Sequence, residues 1–92
     1  MHAMDTQNLK AFQAVADKGS FSEAASRLFI TQPAISKRIA ALELQLNCKL
    51  FDRIGRSVHL TQAGEILLPK ARQILRDIAD ARRALEKLTG PN

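Results

Sequence analysis

The chain has no tryptophan, no tyrosine and a single cysteine, Cys48. One thiol excludes an internal disulfide and a four-thiolate metal site. Four phenylalanines are its only aromatic residues, too few for the stacking platform on which single-strand binders hold bases. Apolar runs such as Ala40-Ala41-Leu42 and Ile66-Leu67-Leu68 are far too short to span a bilayer, and the first residues carry no signal-peptide pattern, which suggests a cytoplasmic protein. There is no Ser/His/Asp set on a nucleophile elbow, no glycine-rich phosphate loop and no carboxylate pair in an apolar setting, so the reading is of a protein that is not an enzyme. His2 and His59 have no neighbours at metal-ligand spacing, and both are expected to face solvent without a metal. Cys48 beside Lys49 is either a small buried filler at a helix end or a thiol whose acidity the neighbouring cation raises.

What is present is an ordinary globular balance with an excess of cations. Ninety-two residues, 46% hydrophobic and 25% charged, describe one small unit rather than a disordered chain. Such a chain buries roughly two-thirds of its unfolded surface, so a partner chain would add to its stability. Fourteen Lys and Arg face nine Asp and Glu, a net charge of +5. The excess is uneven: residues 1–30 are neutral, residues 31–60 carry +3 and residues 61–92 carry +2. The middle third is therefore where a polyanion is expected to dock, either nucleic acid or an acidic membrane surface.

Periodicity divides the chain into helices and one hairpin. Leu9, Phe12 and Ala16 recur at helical spacing between an N-cap at Asp5 or Thr6 and the stop at Gly19, predicting a first helix over about 6–18. Met1-His2-Ala3 stands ahead of Met4, a second candidate start. Ser20-Phe21-Ser22-Glu23 has the capping-box pattern, and Phe21, Ala24, Ala25 and Leu28 make the stripe of a two-turn helix against whose alanines another helix can pass closely. Thr31 is the next N-cap and Pro33 sits in the first turn, where its missing N–H costs nothing. Ile35, Ile39, Leu42 and Leu46 form the buried stripe of that helix, so the two together predict a helix-turn-helix. Runs 50–54 and 58–60 flank Gly55-Arg56-Ser57, a hairpin with a basic tip. Thr61 caps a last helix that runs to Leu88 before Gly90-Pro91, with an expected bend at Pro69. Along it Leu67, Ala71, Ile74, Ile78, Ala81, Leu85 and Leu88 alternate spacings of 4 and 3, a heptad seam that predicts pairing with a second helix, most simply in a homodimer.

The helix beginning at Thr31 carries the strongest functional signal. Opposite its apolar stripe lie Pro33, Ser36, Lys37 and Ala40, with Gln32 in the first turn. This face is short, polar and free of bulk until Leu44, the form that lies in a major groove, where Gln pairs with adenine and Lys reaches guanine. Arg53 and Arg56 on the hairpin are placed to follow phosphates or enter a minor groove.

In order along the chain, residues 19–28 (GSFSEAASRL), 31–39 (TQPAISKRI), Leu42-Glu43, 50–53 (LFDR) and 60–64 (LTQAG) resemble the N-terminal domain of LysR-type transcriptional regulators. The resemblance covers nearly the whole chain. It implies a mainly α fold, a winged helix-turn-helix of three helices and a two-stranded wing over residues 4–61. A linker helix over 62–89 would pair antiparallel with its twin, and residues 90–92 would begin a hinge. It also implies base reading from Gln32, Pro33, Ser36 and Lys37, with Arg53 as the wing arginine. Ser22, Thr31, Arg38 and Arg56 would join it on the DNA backbone. The family usually has arginine at Lys37; a point charge there replaces a bidentate fork. Relatives continue into a ligand-sensing domain, so the small-molecule effector and tetramer assembly are expected of that part, and no cofactor of this stretch. The expected partner is double-stranded promoter DNA, bound by a homodimer on an interrupted palindrome. The competing reading is a protein- or membrane-interaction module that pairs through the heptad helix and leaves the Gln32-Pro33-Ser36 face without a use.

Overall fold

A computed structural model of the chain describes residues 4–89. Met1-His2-Ala3, the Gly90-Pro91 stop and the hinge at 90–92 lie outside the described residues. The elements run α1 (Thr6–Lys18), α2 (Phe21–Leu28), α3 (Gln32–Leu46), β1 (Phe51–Ile54), β2 (Ser57–Leu60) and α4 (Gln62–Thr89). This is a winged helix-turn-helix carrying one long terminal helix, with overall extents of 52 × 25 × 21 Å.

Each boundary has a local cause. Asp5 accepts from the Asn8 N–H at 2.9 Å, Ser20 from the Glu23 N–H at 3.1 Å and Thr31 from the Ala34 N–H at 3.2 Å. Every one satisfies a donor that the first turn of a helix leaves open. The ends are left-handed caps at Gly19, Phe29 and Asn47. Phe29 holds φ 59° with its ring 93% exposed, an uncommon conformation for a bulky residue, placed at the tight turn between α2 and α3. In the hairpin Ile54 pairs with Ser57, so the loop is Gly55-Arg56 alone. Ser57, expected at the tip, is the first residue of β2. Gly55 takes φ 61°, which a two-residue loop requires and glycine adopts without strain.

The core gathers Leu9, Phe12 and Val15 of α1, Phe21, Ala24 and Ala25 of α2, and Ile35, Ile39 and Leu42 of α3. Leu50 and Phe51 close it from the wing and Ala71 from α4. The head's apolar interior thus runs past residue 61 into the long helix. Gly64 makes this approach possible: a Cβ there would collide with the Leu50 carbonyl oxygen and lie 2.7 Å from Leu60 Cδ2. Thr61 stitches the same junction, donating its hydroxyl to the Lys49 carbonyl at 2.6 Å while its N–H bonds the Leu50 carbonyl at 3.0 Å. It also accepts from the Gly64 N–H at 3.1 Å as the cap of α4. Pro69 lies inside α4.

Candidate nucleic-acid interface

The outward face of α3 follows from what its inward face buries. Ile35, Ile39 and Leu42 are almost wholly enclosed, and at 100° per residue this turns Gln32, Pro33 and Lys37 to solvent, with Ser36 half-buried beside them. Pro33 stands in the first turn, where the Thr31 cap already serves the Ala34 N–H. The face is rigid at its start and bears little bulk until Leu44, itself exposed.

A shallow groove joins this helix to the wing. Ser36, Ile39, Ala40 and Glu43 of α3 line it with Phe21, Lys49, Phe51, Asp52 and Arg53. The Arg53 guanidinium carbon sits 4.3 Å from the centre of the Phe21 ring, where the ring's negative face attracts it. Phe21 meets Phe51 edge-on at 6.0 Å and Phe51 meets Phe12 at 5.4 Å. A chain of tilted and edge-on aromatic contacts therefore runs from the core to the wing's arginine beside the start of α2. Phe12 and Phe21, expected only on the apolar stripes of their helices, together with Phe51 make this mount.

Glu43 is the other residue that sequence reasoning left without a function. Its Oε2 accepts the Leu50 N–H at 2.8 Å and the Phe51 N–H at 3.4 Å, and its Oε1 lies 3.8 Å from Lys49 Nζ. One carboxylate thus ties the far end of α3 to the first residues of the wing. The available signal was an acid next to the buried stripe, one of only two in the basic middle third.

The remaining assigned residues fall in three groups. Lys37 and Arg56 have no ion-pair partner among the described residues, so each presents an uncompensated cation. Ser22 is exposed at the start of α2, its hydroxyl 3.2 Å from that of Ser20. Arg38 is half-buried and turned toward α1, donating from Nη1 to Gln7 Oε1 at 3.3 Å. His59 is exposed, as expected, while His2 lies outside the described residues. Cys48 is exposed, which removes the buried-filler reading: the left-handed turn at Asn47 throws it outward.

The heptad seam divides. Ala71 is 0% exposed within its own protomer and Leu67 is half-buried against the same core, so Ala71 has no surface to offer a partner. That corrects its assignment to the dimer interface: its side chain belongs to the protomer's own core. Ile78 is half-buried, Ile74 and Ala81 are exposed, and Leu85 and Leu88 are 63% and 82% exposed. No group of three or more potential metal ligands occurs among the described residues, and no helix there is long and apolar enough to cross a membrane.

Residues 6–65 match the family model described as bacterial regulatory helix-turn-helix protein, lysR family. An uncharacterized HTH-type transcriptional regulator of the ibpB-leuC intergenic region of Azotobacter vinelandii is 62% identical over 87 residues, 95% of this chain and 60% of that protein. The HTH-type transcriptional regulator TfdT of Cupriavidus pinatubonensis is 47% identical over 78% of this chain and 32% of its own length. The chain therefore spans about a third to three-fifths of these curated relatives. Among solved structures, the DNA-binding domain of CbnR in complex with DNA superposes with a TM-score of 0.87 at 36% identity, covering 94% of this chain and 99% of that one. The DNA-binding domain of BenM on its benA site 1 DNA gives 0.88 at 29% identity, covering 97% and 100%.

Proposed function

We propose, for a chain that belongs to the lysR family of bacterial regulatory helix-turn-helix proteins, that it acts as a homodimer reading an interrupted palindrome in duplex DNA. The first turn of α3 enters the major groove, Gln32, Ser36 and Lys37 contact base edges, and Pro33 packs against them. Phosphates are held by Ser22 and Thr31 at the two helix starts, by Arg53 and Arg56 on the wing, and by Arg38 beside α1. Two copies of α4, each about 42 Å long at ~1.5 Å per residue, pair antiparallel through Ile74, Ile78, Ala81, Leu85 and Leu88. They set the heads on successive groove turns of promoter DNA in the cytoplasm. This contact needs no metal or cofactor; a small-molecule effector would act through other parts of such regulators.

One observation carries the reading: α3 buries one face completely and offers a capped, unobstructed polar turn on the other, with a wing arginine mounted across the same groove. Selection of bound duplexes from a random pool tests it, with paired half-sites of fixed separation as the expected product. On the selected site Gln32→Ala is expected to cost roughly 1–3 kcal/mol, with little change on random duplex. Equal losses on both would show that Gln32 touches no base. The contending reading, a basic module for anionic surfaces, predicts binding to anionic vesicles but not to duplex.

A further inference from the structure

Asp17 is an acid in the wrong place for its own helix. It lies in the last turn of α1, where the unpaired carbonyls make a helix end negative and a carboxylate is disfavoured. Two arginines from outside the helix meet it there. Arg27 of α2 approaches Oδ2 at 3.2 Å and Arg72 of α4 approaches Oδ1 at 2.9 Å. The carboxylate is mostly covered, its side chain 23% exposed, while both arginines stay more open. Its use is tertiary: one carboxylate joins three helices at the point where α4 leaves the head.

The apolar contact between α4 and the head extends from Ala63 to Leu75. Ala71 sits within the core with no exposed surface, and Ala63, Leu67, Leu68 and Leu75 pack against that core. Crossing angles of packed helices scatter by ±15–20° from one pair to another, so apolar packing alone does not dictate one angle. The pair from Arg72 to Asp17 lies within this stretch and adds a directional contact between α4 and α1 that favours one angle. From Arg72 to Thr89 the helix runs about 25 Å at ~1.5 Å per residue. A tilt of about 10° displaces its end by roughly 4 Å, more than one base-pair step of about 3.4 Å. A two-fold axis applies the displacement to both heads.

We infer that the Asp17–Arg72 pair sets the angle between reading head and linker helix and so selects the separation of the two half-sites. Asp17 is here a positioning residue that touches no DNA. The inference rests on the dimeric reading of a palindrome given above.

The test is random-pool selection with the wild-type chain, Asp17→Asn, Arg72→Gln and Arg27→Gln, alongside affinities for a single half-site. The wild type is expected to select one separation. Asp17→Asn and Arg72→Gln are expected to select separations spread over at least one further base pair, and to lose about threefold on the wild-type separation. Their half-site sequence and single-site affinity stay unchanged. Arg27→Gln, which leaves the tie to α4 in place, keeps the wild-type separation. Arg72→Gln retains the pair inside the head and serves if Asp17→Asn fails to fold. Wild-type separation in both variants overturns the inference while the dimeric reading stands. A wild-type pool without paired half-sites overturns both.

Discussion

Over residues 62–75, α4 lies on the head: Ala63, Leu67, Leu68, Ala71 and Leu75 reach its core, Gly64 lets the backbone close on Leu50, and Arg72 is tied to Asp17. Over residues 76–89 only Ile78 and Ala79 are half-buried, and every side chain from Asp80 to Thr89 is exposed. The apolar periodicity is the same in both halves. What differs is what lies alongside: Ala71 belongs to the head's core and is fully enclosed, whereas Ala81, the same residue further along the seam, is exposed. A continuous heptad thus serves two unlike ends, an intramolecular weld and, on the proposed pairing, an intermolecular seam.

That contrast can be broken by placing the same charge in each half. Ala71→Asp sets a carboxylate at a fully enclosed position and is expected to cost on the order of 4 kcal/mol, or to prevent folding, read by urea denaturation. Ile78→Asp is expected to leave a folded chain with native circular dichroism that sediments as a monomer and binds paired half-sites weakly. An intact dimer in that variant would overturn the pairing. Gly64→Ala probes the weld by volume, with an expected loss of about 3 kcal/mol because a carbonyl oxygen occupies the space. Glu43→Ala leaves two wing N–H groups without their acceptor and is expected to cost about 2 kcal/mol. Arg56→Ala is expected to leave stability unchanged and to lower the slope of log K against log salt by about 1. A slope equal to the wild type's would remove Arg56 from the phosphate contacts.

The helices and their limits were legible because their signals are local. Asp5, Ser20 and Thr31 cap the first turns that follow them, and the 4-and-3 spacing of isoleucines and leucines needs no knowledge of a partner. The polar face of α3 was legible for the same reason, since a buried stripe defines its opposite. Glu43 and Asp17 were not, because each acts on groups brought near only by folding: the Leu50 and Phe51 amides across a turn, and an arginine 55 residues away. Ala71 was misassigned because a heptad states which side of a helix is apolar and is silent on what covers it. Arg38 enters through the resemblance alone, and its bond to Gln7 of α1 depends on a residue 31 positions away.

Caps, apolar spacing and charge, all written within a few residues of one another, determined that this chain makes a helix-turn-helix, a basic hairpin and a long amphipathic helix. The packing of distant elements decided which part of that last helix belongs to the head, where the wing arginine rests and which acid holds the angle between them. Local patterns act through torsions and neighbouring amides, whereas these assignments depend on distances across the molecule that exist only once the core has closed.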